Sequence, residues 1–133
     1  MTMRPGADSG DAQAAADAIG RHLLLDVHGV AAALLTDAAV LEHMLRAAAQ
    51  TAGATALFAH FHAFGVGQGV TGVLLLMESH ISIHTWPEHG YAALDIFMCG
   101  HAQPQRAVDA LLAALAPQTH TLRDVARGSL PRA

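Results

Sequence analysis

The sequence contains no lysine, since all seven of its Lys-plus-Arg positions are arginine. This removes an internal aldimine to pyridoxal phosphate, a phosphate loop ending in Gly-Lys, and any lysine nucleophile or base. Cysteine is almost missing too, and the lone Cys99 can build neither a disulfide framework nor a thiolate zinc cage. Charge is sparse, at 14% of the residues, and the net charge is −4. Nucleic-acid binding needs clustered positive charge, which the scattered arginines do not supply. No apolar run reaches the roughly eighteen residues of a membrane span. The Ala/Asp/Gly-rich start has no apolar core behind a basic segment, so it does not read as a signal peptide. These absences lead to the expectation of a cytoplasmic protein whose partners are small molecules or itself, not nucleic acid and not membrane.

The rest of the composition, 133 residues of which 53% are hydrophobic, suits one domain. Residues 1–19 have no apolar stripe and are expected to form a disordered or loosely ordered tail, with a second short tail at 129–133. Between them, Leu23, Leu24, Leu25 and Val27 mark a strand over 21–28 that ends at Gly29. Thr36 offers a helix N-cap, and Val40, Leu41, Met44, Leu45 and Ala48 recur at helical spacing until Gly53. Residues 55–64 alternate, with Leu57, Ala59, Phe61 and Ala63 on one side and Phe58, His60, His62 and Phe64 on the other. A glycine-rich link then leads to an apolar strand over 73–77.

Ile81 and Ile83 alternate with His80, Ser82 and His84, and Pro87-Glu88-His89-Gly90 makes a turn into a partner strand over 91–99. Pro104 opens a second helix carrying Val108, Leu111, Leu112 and Leu115, and a last strand is expected over 119–125. The order predicts an α+β fold, a two-layer sandwich of a mainly antiparallel sheet with two helices on one face.

The hairpin is the segment that carries chemistry. With Trp86 facing Tyr91, antiparallel pairing opposes His84 to Ala93, Ser82 to Asp95, His80 to Phe97 and Glu78 to Cys99. The thiol then falls beside the Glu78-Ser79 bond, and His80, Ser82, His84, Asp95 and Cys99 share a face.

The run from Glu78-Ser79-His80 through His84-Thr85-Trp86-Pro87-Glu88, followed by Gly90 to Gly100, resembles the bacterial S-adenosylmethionine decarboxylase proenzymes. Gly20-Arg21-His22-Leu23-Leu24, Gly53-Ala54-Thr55, Phe61-His62-x-Phe64 and Gly69-Val70-x-Gly72 extend the similarity to residues 20–128. The resemblance implies a self-processing enzyme in which the Ser79 hydroxyl attacks the Glu78 carbonyl and the chain is cut there, giving a β chain of residues 1–78 and an α chain of residues 79–133. It makes His84 the proton acceptor in processing. Ser79 becomes a pyruvoyl cofactor that forms a Schiff base with substrate, and Cys99 is the proton donor in decarboxylation.

Serine suits its double role because it combines a hydroxyl nucleophile with an unhindered β-leaving group. Phe64 matches an aromatic that stacks on adenine, and Glu88 matches a carboxylate that binds the ribose hydroxyls. The family also implies a homodimer with the site near its interface, and spermidine synthesis as the pathway served. Ser79 and His84 have opposite parity on a regular strand, so a turn or bulge at 78–80 is expected.

The loop Phe64-Gly65-Val66-Gly67-Gln68 lacks the family's usual proline and is one residue longer. Thr71 stands where a serine that assists processing is usual, and His89 and Met98 replace a tyrosine and a threonine. These changes touch the pocket more than the Ser79, His84 and Cys99 set. A pyruvoyl decarboxylase of ornithine or arginine on the same scaffold is therefore the alternative. An unprocessed homologue acting as a binding or regulatory subunit is a third reading. His60, His62, His80 and His84 raise a metal-binding module, but no carboxylate or thiolate set accompanies them at close spacing, so no metal is expected.

Overall fold

The computed structural model describes residues 18–129. The elements are β1 (Ala18–His28), α1 (Ala32–Leu35), α2 (Ala38–Thr51), β2 (Ala56–Ala63), β3 (Val70–Leu76), β4 (Ser79–Trp86), a 3-10 turn (Pro87–His89), β5 (Tyr91–Cys99), α3 (Pro104–Leu115) and β6 (Thr119–Ser129). The strands form one six-stranded sheet in the order β2-β3-β4-β5-β1-β6, with each neighbouring pair antiparallel.

Apolar side chains at every second strand position dictate which face the helices cover. Leu23, Leu25 and Val27 of β1, Ile81 and Ile83 of β4, and Leu94 and Ile96 of β5 are buried against Leu41 and Leu45 of α2 and Val108, Leu111 and Leu115 of α3. Each fully buried Leu or Ile contributes about 1.5–3 kcal/mol, so this layer dominates the stability of the fold. The expected two-layer α+β sandwich is what forms. Among the described residues, no helix is long and apolar enough to cross a membrane.

The structure corrects several local expectations. Asp37, not Thr36, caps α2, its carboxylate accepting from the Val40 amide at 3.1 Å. Thr36 instead closes the short helix α1, which the periodicity does not reveal, and its hydroxyl donates to the Ala33 carbonyl. A carboxylate at this position also meets the positive end of the helix dipole, which favours Asp37. The first strand is longer than expected, because Ala18 pairs with Ser129 and so ties Ala18 and Ile19 into the sheet. Ser129 likewise belongs to β6 and not to a tail, while the expectations for residues 1–17 and 130–133 lie outside the described residues.

β3 starts at Val70, inside the stretch expected to be a link, and ends at Leu76, leaving Met77 in a turn. Gly72 makes this possible, because a Cβ there would run into the ring of Phe61 on the neighbouring strand. In β2 a register irregularity between Ala56 and Phe58 precedes regular pairing, and Leu57, expected on the Ala59 side, is exposed.

Among the described residues, no helix covers the opposite sheet face. Rows of paired residues cross it, among them Phe58, Leu75, His80, Phe97, His22 and Val125, one from each strand. Phe58 and Leu75 are 57% and 44% exposed, so this face presents apolar surface that none of the described residues covers.

Candidate active site

The β4–β5 hairpin forms in the expected register, with Trp86 opposite Tyr91, His84 opposite Ala93, Ser82 opposite Asp95 and His80 opposite Phe97. Glu78 departs from the expected ladder, for it sits in the two-residue turn joining β3 to β4, and Cys99 pairs instead with Gly20 of β1. The thiol nevertheless reaches the Glu78-Ser79 bond. Cys99 Sγ donates to the Glu78 carbonyl at 2.8 Å, the Cys99 amide donates to Ser79 Oγ at 3.2 Å, and the two side-chain atoms, Oγ and Sγ, are 3.9 Å apart. Glu78 has a φ of 61°, in the left-handed region that a non-glycine residue enters at a cost of about 1–2 kcal/mol. A cleft of about 320 Å³ opens beside Cys99, between the start of β1 and the start of α3.

The other end of β4 holds a second group. Thr71 of β3 pairs with His84, and Thr71 Oγ1 lies 3.1 Å from His84 Nδ1. They line a pocket of about 240 Å³ together with Phe64, Gln68, Trp86 and Glu88. Phe64 is 59% exposed and meets His62 edge-on at 4.7 Å between ring centroids. Glu88 projects from the 3-10 turn.

The floor of the pocket depends on Thr85, the one polar side chain buried among the described residues. Its hydroxyl donates to the Leu35 carbonyl at 2.7 Å and accepts from the Val70 amide at 2.8 Å, tying α1, β3 and β4 together. Thr85, Gln68 and Trp86 were not singled out from the sequence. The core-facing parity that Thr85 shares with Ile81 and Ile83 was the available signal.

Between the two groups, the uncovered face carries a polar cluster. Ser82 donates to Asp95 at 3.2 Å, and Arg127 meets His22 Nδ1 at 3.2 Å. His22 Nε2 faces Asp95 Oδ1 at 3.4 Å without hydrogen-bond geometry. Burial, reinforced by the neighbouring His22 and opposed by Asp95, pushes His80 below the ordinary imidazole value of 6.5. Among the described residues, no group of three or more His, Cys, Asp or Glu side chains is arranged to hold a metal ion.

The structure thus brings Glu78, Ser79 and Cys99 together, and separately Thr71, His84, Phe64 and Glu88. It does not bring the two sets together within one chain. The β3–β4 ladder is unbroken from Leu76–Ser79 to Thr71–His84, and five residues of strand span roughly 16 Å. The expected turn exists at residues 77–78, but it precedes Ser79 and leaves the opposite parity of Ser79 and His84 unchanged.

Comparison with known proteins identifies the family. The profile of the S-adenosylmethionine decarboxylase family matches residues 21–128. An S-adenosylmethionine decarboxylase proenzyme of Parasynechococcus marenigrum is 48% identical over 110 residues, covering 82% of this chain and 85% of that one. The proenzyme of Methanococcus aeolicus is 45% identical over 113 residues, covering 84% and 96%. The crystal structure of the adenosylmethionine decarboxylase from Aquifex aeolicus superposes with a TM-score of 0.80 at 34% identity, over 88% of this chain and 97% of that one. With its profile matched almost from end to end of the described residues, the chain belongs to the S-adenosylmethionine decarboxylase family.

Proposed function

We propose that this chain is a precursor that cuts itself between Glu78 and Ser79, and that the processed protein, as a homodimer, decarboxylates S-adenosylmethionine to the aminopropyl donor used in spermidine synthesis. The observation that carries this reading is the contact of Cys99 Sγ with the Glu78 carbonyl at 2.8 Å, beside Ser79 Oγ. A donor on that oxygen stabilises negative charge as the carbonyl is attacked. Ser79 Oγ adds to the Glu78 carbonyl carbon, and the C–N bond breaks to leave an ester and a free amine. The strained turn at Glu78 raises the energy of the starting amide and favours the shift.

A base must then take the α-proton of residue 79, so that Glu78 leaves as a carboxylate. Water hydrolyses the resulting enamine, through its imine tautomer, to a ketone and ammonia. His84 is the candidate base, with Thr71 fixing its ring through Nδ1. Because His84 lies about 16 Å from Ser79 on its own strand, the His84–Thr71 pair comes from a second copy packed on the uncovered sheet face. The exposed Phe58 and Leu75 on that face support such packing.

The atoms at residue 79 fit the pyruvoyl group: the serine that supplies it is flanked by a thiol and a backbone amide donor. Once formed, the group supplies an electrophilic ketone that takes up the substrate's amine and accepts the electron pair released with carbon dioxide. Cys99 holds the proton, at Sγ, that is returned to the substrate carbon. Phe64 and Glu88 suit the adenine ring and the ribose hydroxyls, and an aromatic face also attracts the sulfonium cation.

Denaturing mass spectrometry of the purified protein, with carbon dioxide release measured on S-adenosylmethionine and on ornithine, tests the proposal. Two chains meeting at 78/79 and release from S-adenosylmethionine are expected. A chain that stays intact on incubation, or release from ornithine alone, would overturn it.

A further inference from the structure

Three stacked rings run across the uncovered sheet face at the pocket end. Trp86 of β4 stacks on Tyr91 of β5, with centroids 5.1 Å apart and planes 23° apart. Tyr91 stacks in turn on His28 of β1 at 5.0 Å and 21°. Strand register sets this arrangement, since Trp86 pairs with Tyr91, and Val27 with Ala92 on the next strand. The middle ring is also tethered, because the Tyr91 hydroxyl donates to Asp26 Oδ1 at 2.7 Å. That bond, together with burial and the carboxylate's charge, pushes the phenol up to about 12, so it remains a donor throughout the neutral range.

The outer ring of the stack is the one that meets the pocket. Trp86 is 40% exposed and borders the pocket beside Phe64, with the His84 ring 6.4 Å away. Gly69 lines the same pocket and offers no side chain to fill it, and a Cβ there would run into the Thr85 carbonyl. The chain has one tryptophan and one tyrosine, and both are used in this stack. A cross-strand aromatic pair would stabilise the hairpin wherever it lay. Here, however, the tethered ring backs an indole that is left open towards a cavity. Indole is the best of the side-chain rings for holding a cation, and a planar wall fixed in advance costs little ordering on binding.

We propose that Trp86 is a second aromatic wall of the substrate pocket, and that Tyr91, anchored by Asp26 and flanked by His28, is the positioning residue that holds the indole there. This rests on reading the pocket as the site for the adenosyl sulfonium part of the substrate. In the processed enzyme, Trp86→Ala is expected to raise KM for S-adenosylmethionine at least tenfold while changing kcat less than threefold. Trp86→Phe should recover most of that loss. Tyr91→Leu, which removes both the stack and the tether, should raise KM three- to tenfold.

A readout that needs no variant is the emission of the only indole. Titrating the wild-type processed enzyme with 5′-methylthioadenosine should change that emission saturably, over the concentrations that inhibit decarboxylation. Inhibition with unchanged emission, or an unchanged KM in folded Trp86→Ala, overturns the role of Trp86 and leaves the substrate reading intact. A wild-type enzyme that neither decarboxylates S-adenosylmethionine nor responds to the thioether overturns both.

Discussion

At the Ser79 end of β4 the polar atoms are already engaged with one another: thiol to carbonyl at 2.8 Å, amide to hydroxyl at 3.2 Å. At the His84 end they face an open pocket of about 240 Å³ bordered by Phe64, Trp86 and Glu88. The first end is strained, with a glutamate at φ 61°. The second is lined by aromatic rings. One strand therefore carries the Glu78-Ser79 bond, the proposed point of cleavage, at one end and His84, the proposed base, at the other, about 16 Å apart. The difference teaches that neither end alone holds all the groups the proposed reaction needs, which is why the proposal draws them from two copies.

Co-expression is the strongest way to break this view. Ser79→Ala alone should give an intact, inactive chain, and His84→Ala alone a chain that is barely cut. Expressed together, the His84→Ala chain should be cleaved by the His84 of its partner, giving two fragments on denaturing electrophoresis. If neither chain is cut in the mixture, base and serine act within one chain and the composed site fails.

The next effects separate the ends individually. Cys99→Ala removes the proposed proton donor, and turnover of any processed enzyme should fall about 100-fold or more, on the scale of general-acid catalysis. At the far end, Thr71→Val removes the hydrogen bond to His84. A bond worth about 1 kcal/mol slows cleavage roughly fivefold, and Thr71→Ser should restore the rate. Glu78→Gly relaxes the turn and should slow cleavage no more than about thirtyfold, the rate equivalent of about 2 kcal/mol of strain. Time courses of fragment appearance measure both.

The smallest effect concerns the ground between the ends. Because folding lowers the pKa of His80, the unfolded chain binds its proton more readily. The contribution of neutral His80 is fully present above pH 6.5 and is lost as the pH falls below it. Urea midpoints at pH 7.5 and pH 5.5 should therefore differ less in His80→Leu than in the wild type. An equal difference would show that His80 is not desolvated on this face.

Much of the fold was legible because the core strands keep a strict period of two. Ile81, Ile83, Leu94 and Ile96 announce their face, and Pro87 to Gly90 pins the hairpin register. Local chemistry was less decisive. Thr36 and Asp37 are both competent caps, and only the presence of α1 before them assigns the role to Asp37. The gathering of Ser79 with Cys99 could be read from register, but the thiol reaches its carbonyl through a turn geometry at Glu78 that no pairing rule supplies. Thr85 was hidden for another reason, since its partners Leu35 and Val70 are remote in sequence and offer only backbone atoms.

The strand order β2-β3-β4-β5-β1-β6 has a thermodynamic consequence. A cut at 78/79 assigns β1, β2 and β3 to one fragment and β4, β5 and β6 to the other, and β1 lies wedged between β5 and β6. The fragments are interleaved, so neither can leave without tearing a ladder on both sides of β1. Denaturing the mature protein then becomes a dissociation into separate polypeptides, with a midpoint that depends on protein concentration even within a single protomer. The precursor folds as one chain, whereas the mature form must find its other half again in order to refold.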